Sequence, residues 1–151
     1  MSPQEFKLKI EARNLEQQKN TEIVLDELRG DFGELEIRIE AESKGIVPEE
    51  VIFLIAATVT SKVLADVFLR FLEKLWSRLK NKGISPDIYS IDSVQKKAEN
   101  YLLSLGILDA KITKREDRGL YVFFVFKSKR TSHSIYVSKS DLRIIQYERV
   151  G

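Results

Sequence analysis

The sequence predicts an α+β fold: an N-terminal antiparallel β-meander, a long central helix, and then a helix followed by a four-stranded antiparallel meander. Three observations carry this reading. Two early segments alternate apolar and charged residues at period two. The stretch from Pro48 to Lys82 holds charges at strict four-residue spacing. The last third alternates turn signals with short β-rich runs. Residues 1–151 read as one domain, divisible into subdomains 1–82 and 87–151 at the connector Ile84–Ser90, which contains Pro86.

Phe6, Leu8, Ile10 and Ala12 alternate with Lys7, Lys9 and Glu11, the pattern of a half-buried strand. Leu35, Ile37, Ile39 and Ala41 alternate with Glu34, Glu36, Arg38, Glu40 and Glu42 in the same way. Between them Asn14–Asn20 is polar and turn-like. Thr21–Leu28 is ambiguous: Ile23 and Leu25 suit a short strand, Val24 and Leu28 suit a helix. The strand is the reading adopted, completing a three-stranded meander whose apolar face packs on the central helix.

Pro48 is placed as a first helical residue, with Glu49 and Glu50 facing the positive end of the helix dipole. Lys62, Asp66, Arg70, Lys74, Arg78 and Lys82 form one row along this helix. Leu64, Phe68, Phe71, Leu72, Leu75, Trp76 and Leu79 form the opposite arc, and Gly83 closes the element. From Val51 to Val59 the segment is apolar on every side, so it must be buried on every side. A membrane span is rejected, because extending it to roughly 20 residues takes Lys62, Asp66 and Arg70 into lipid. The remaining choices are a helix cradled by sheet and a helix shared across a homodimer interface, with Val51, Ile52, Ile55 and Val59 as its contact residues.

Ser90 or Asp92 caps the next helix, whose stripe is Val94, Ala98, Tyr101, Leu102 and Leu105, with Gly106 after it. Four strands follow: Lys111–Glu116, Leu120–Lys127, Ser134–Ser138 and Leu142–Arg149. The run from Tyr121 to Phe126 is apolar on both faces and therefore central. Over Ser93–Tyr147 this order and these lengths resemble PepSY-type modules and cystatin-like folds, a helix laid on a meander; no diagnostic motif accompanies the likeness.

Composition excludes several chemistries. With no cysteine there is no disulfide, thiol nucleophile or iron–sulfur ligand, and with one histidine there is no cluster of His ligands within a chain. The seven glycines (30, 33, 45, 83, 106, 119 and 151) form no dinucleotide fingerprint and no phosphate loop. Asp26, Glu27, Asp31 and Glu34 surround two glycines but fail calcium-loop spacing, because Leu28 and Gly30 stand where ligands belong. Arg29-Gly30-Asp31 is a chance tripeptide. Pro86-Asp87 lacks the acid two residues before Lys127 that a metal-dependent nuclease core requires. His133, flanked by serines, reads as a surface residue in a turn. No cofactor and no metal is expected. Met1–Asn14 has no apolar signal core, and the expectation is a cytoplasmic protein.

Charge is uneven. Residues 1–50 hold 7 basic and 13 acidic side chains, a net of −6, while residues 51–151 hold 18 basic and 10 acidic, a net of +8. Complementary packing or head-to-tail dimerisation accounts for such an asymmetry. Lys127, Lys129 and Arg130 ring one hairpin turn; Lys111, Lys114, Arg115 and Arg118 line a neighbouring strand and turn. Cations so placed track phosphates, with Tyr121 and Tyr136 as stacking faces, or block sheet edges from aggregating. Lys74, Trp76, Arg78, Lys80 and Lys82 suit a helix end better than a membrane surface. The function expected is that of a small non-enzymatic protein–protein interaction or regulatory protein, a homo-oligomer or bound to a protein partner; nucleic-acid binding by the Lys111–Arg130 face is the alternative.

Overall fold

The structure, a computed structural model, describes residues 3–43 and 50–151. The chain divides into two compact units, residues 1–87 and 88–151. The described residues hold three helices and seven strands in two antiparallel sheets, an α+β fold.

The first unit begins with β1 (Gln4–Ala12), whose Phe6, Leu8, Ile10 and Ala12 are buried. Next comes α1 (Leu15–Asp31), where a strand was expected at Thr21–Leu28. Thr21, Val24, Leu25 and Leu28 are its buried residues, a helical i, i+3, i+4, i+7 set, and Ile23 is exposed. The polar segment before them is the helix start. The Asn14 side chain accepts from Gln17 N–H at 2.9 Å, while the Gln17 side chain accepts from Arg13 N–H at 2.8 Å.

Strand β2 (Glu36–Ser43) is followed by β3 (Val51–Val59), and this second element corrects the long-helix expectation. Among the described residues the helix expected over Pro48–Lys82 is α2 (Lys62–Asn81) alone, capped by Ser61 through Leu64 N–H. Pro48 and Glu49 lie outside the described residues. The run Val51–Val59 is apolar on both sides because it is the middle strand of the sheet order β1-β3-β2. Its β-branched Val51, Ile52, Ile55, Thr58 and Val59 suit an extended backbone.

Register sorts the sheet into two faces. Phe6, Ile37 and Ala57 share one row, as do Leu8, Ile39 and Ile55, and α1 and α2 pack on this side. Phe68 meets Phe6 at 4.8 Å between ring centroids, and Phe71 meets Phe32 at 5.7 Å. The other face carries Ile52, Leu54, Ala56 and Thr58 along β3, flanked by Glu5, Lys7, Lys9 and Glu11 on β1 and by Glu36, Arg38, Glu40 and Glu42 on β2. Arg78 of α2 holds Glu27 and Asp31 of α1 at 3.2 and 3.1 Å. Gly83 leaves α2 at φ 69°, a left-handed exit open to glycine. The chain then lies along the outer side of β1: Asp87 N–H bonds the Lys9 carbonyl at 3.0 Å, and Pro86 bridges Ile10.

The second unit is α3 (Ile91–Ser104) laid on the strands β4 (Lys111–Asp117), β5 (Tyr121–Ser128), β6 (Thr131–Ser138) and β7 (Ile144–Val150), paired in that order. Val94, Ala98 and Leu102 of α3 pack with Val122, Phe124, Phe126, Ile135 and Val137. Ser90 caps α3 through Ser93 N–H. The β4–β5 turn uses Gly119 at φ 88°, with Asp117 accepting from its N–H at 2.9 Å. The β5–β6 turn is Lys129-Arg130, and Lys129 has φ 52°.

Candidate interaction surfaces

The seven cations marked in the sequence fall into two groups once the register is known. Lys114 pairs with Glu116 at 2.8 Å and sits 5.6 Å from the Phe123 ring centre. Arg118 pairs with the same Glu116 at 2.6 Å. Lys114 and Arg118 together lower the Glu116 pKa, chiefly through the Lys114 hydrogen bond. Arg115 turns to the helix side, 2.9 Å from Gln95 and 3.6 Å from Asp92. These three are partnered surface residues.

Lys111, Lys127, Lys129 and Arg130 form the second group, gathered where β4 begins and β5 turns into β6. None has a carboxylate within 4 Å among the described residues. Lys111 lies directly opposite Lys127, so two like charges share one row of the sheet face away from α3. Phe123, opposite Tyr136 at 4.6 Å between ring centroids, lies on the same face. Both rings are half-buried, and Tyr121 is buried. Asp109 stands nearby; the Ser128 hydroxyl donates to it and lowers its pKa, against the effect of burial, and Lys129 adds to the lowering.

The residues expected at a helical interface are placed on a strand instead. Ile55 and Val59 are 3% and 1% exposed and belong to the helix-covered side of the first sheet, while Val51 and Ile52 are half-buried. The accessible feature nearby is the outer edge of β2, which among the described residues pairs only with β3. Every residue of β2 except Ile37 and Ile39 is exposed. Glu36, Glu40 and Glu42 have no basic partner among the described residues; Arg38 pairs with Glu5. Edge status follows from strand order, and no local pattern announces it.

His133 corrects another expectation. It is 0% exposed, on the α3 side of the sheet, held by Tyr147 Oη at 2.8 Å on Nδ1 and by Thr131 Oγ1 at 3.0 Å on Nε2. The Thr131 hydroxyl donates its one proton to the Ser128 carbonyl, so it must accept from His133 Nε2–H. Nδ1 is then the acceptor and Tyr147 its donor. Burial lowers the His133 pKa, Arg149 adds in the same sense, and burial raises that of Tyr147.

Two open polar hollows lie beside the end of β1. One of about 160 Å³ is lined by Glu11, Arg13, Gln17, Gly83, Ile84, Ser85 and Asp87, and one of about 290 Å³ is lined by Glu11, Ala12, Arg13 and Glu50, at the lower end of ligand-site sizes, which begin at about 300 Å³. Among the described residues no group of three or more His, Asp or Glu converges as a metal site, and no helix is long and apolar enough to cross a membrane. Comparison with protein-family models, with curated proteins and with solved structures finds no match to this chain.

Proposed function

We propose that this chain is a small non-enzymatic interaction protein that works by protein–protein contact through the exposed edge of β2. The observation that carries the reading is an eight-residue edge strand, exposed along most of its length, whose outer backbone groups are unpaired in the sheet and whose Glu36, Glu40 and Glu42 lack counter-ions among the described residues. Such an edge adds a strand from a partner: the backbone supplies affinity and the side-chain charges supply selection. The acids favour a basic partner segment and oppose pairing of β2 with another β2. Affinity capture with the full chain, run beside Glu40→Lys/Glu42→Lys, tests this. Partners held by the natural sequence and lost from the variant support the edge; identical binding by both proteins refutes it.

A second reading has its own observation. The opposed Lys111 and Lys127, with Lys129 and Arg130 beside them and Phe123 and Tyr136 on the same face, suit a single-stranded nucleic acid. Lys129 at φ 52° is a cation kept at a hairpin position that favours glycine. Fluorescence anisotropy of labelled oligonucleotides at two salt concentrations reads this. Salt-sensitive binding that Lys127→Glu/Lys129→Glu/Arg130→Glu abolishes supports it, and no binding at low salt eliminates it.

A further inference from the structure

The β2 edge is complementary in charge to the β4 edge of the chain's own second sheet. We propose that copies associate head to tail, with the β4 edge of one copy adding antiparallel to the β2 edge of the next. The inference rests on the reading of β2 as a contact edge and names what it contacts.

Both strands lie at the open side of their sheets, and both are exposed along most of their length. Their charges are opposite. On the face away from the helices β2 presents Glu36, Arg38, Glu40 and Glu42, and β4 presents Lys111, Lys114 and Glu116. The spacing of the two lysines matters. A bulge between Ile112 and Lys114 brings Lys111 and Lys114 to one face although they are three residues apart. With Thr113 as the bulged residue, antiparallel pairing sets Glu42 opposite Lys111, Glu40 opposite Lys114 and Arg38 opposite Glu116. On the other face Ala41 meets Ile112, which is 39% exposed. Three opposite-charge rows and one apolar row fall in a single register.

Other registers fail. A slip by two residues sets Arg38 on Lys114 in one direction and Glu40 on Glu116 in the other. Within Glu36–Ser43 a parallel alignment satisfies at most two charged rows. Antiparallel β2 on β2 places acid on acid. Lys114 and Glu116 already pair with each other within β4, so the new interactions come chiefly from Glu40, Glu42 and Lys111, which have no ionic partner among the described residues. Contact of this kind joins two different surfaces, so it leaves one complementary edge open at each end.

Sedimentation velocity of the nucleic-acid-free full chain tests the proposal. At about 0.05 M salt the sedimentation coefficient should rise over a hundredfold concentration range, and about 0.5 M salt should weaken association by about tenfold or more, because the pairs are exposed. Glu40→Lys/Glu42→Lys and Lys111→Glu/Lys114→Glu should each abolish it. An equimolar mixture of the two variants should restore it, since each supplies the charge the other lacks; restoration also shows that both are folded. A natural chain that stays monomeric throughout, or variants that associate as the natural chain does, overturns the head-to-tail contact. If that occurs while captured proteins still depend on Glu40 and Glu42, the edge reading stands and only the self-partner falls. If capture also fails to depend on them, both fall.

Discussion

Replacing Tyr147 by phenylalanine removes one oxygen atom and tests the polar chain inside the second unit. The ring remains, and with it the edge-on packing against Tyr101 at 5.4 Å. What is lost is the donor to Nδ1 of His133, a residue with 0% exposure. Rotation of the imidazole offers no remedy, because Nε2–H is committed to Thr131, whose own proton goes to Ser128. A buried acceptor without a donor costs about 1–3 kcal/mol. With a urea m-value of about 1–3 kcal/mol/M, the midpoint should fall by roughly 1 M. Circular dichroism reads the transition, and amide exchange on β5–β7 assigns the loss to the second unit. The double variant Tyr147→Phe/His133→Leu should recover much of the loss, since removing both partners leaves no orphan. A midpoint unchanged in Tyr147→Phe would refute the cost of an undonated Nδ1, and with it the tautomer in which Tyr147 donates to His133. The same histidine sets a pH dependence. Its folded pKa lies below the ordinary 6.5, so the unfolded chain binds the proton first. Stability is complete above the unfolded value and declines as pH falls through it toward the folded value. Denaturation midpoints measured on both sides of that window should show the decline, and His133→Leu should flatten it.

Phe71→Ala, in the contact between Phe32 and Phe68, should cost about 3–5 kcal/mol in chemical denaturation. Gly119→Ala, at φ 88°, should cost about 1–2 kcal/mol by the same measurement, the penalty for a side chain in left-handed backbone. Asn14→Ala should lower stability by about 1 kcal/mol through loss of the α1 cap. Arg78→Ala, although it bridges two acids, should change stability by about 1 kcal/mol or less, with the effect shrinking in salt, because both carboxylates are exposed to water.

Where one face of an element met the core and the other met water, the sequence was readable. β1, β2 and α3 carry clear periods of two or of three and four, and each lies where that period places it. Val51–Val59 carries no period, because a middle strand whose outer face is also apolar, half-covered by the charged side chains of its neighbours, and a helix buried all round share one pattern. α1 was obscured by Ile23, an exposed apolar residue that imitated alternation with Leu25. The cations of the second unit were visible in the sequence, but their sorting was not. Arg115 turns toward Asp92 and Gln95 while Lys111 faces Lys127 because of a register that includes a bulge. His133 looked like a turn residue because the polar Thr131 and Ser134 around it are strand positions, and only the pairing with Phe126 puts it inside.

The segment that runs back along β1 has a consequence for how many neighbours the first sheet can take. At the middle of that strand the Lys9 carbonyl is already occupied by Asp87, and Pro86, next to Ile10, brings no N–H of its own. An incoming strand cannot run unbroken along that side. Among the described residues the sheet therefore has one side open to a strand, at β2, and is stopped at β1 by its own chain. A protein built this way can be joined to a partner without its first sheet becoming the repeating unit of a continuous ribbon, because each added strand meets a closed side across the sheet.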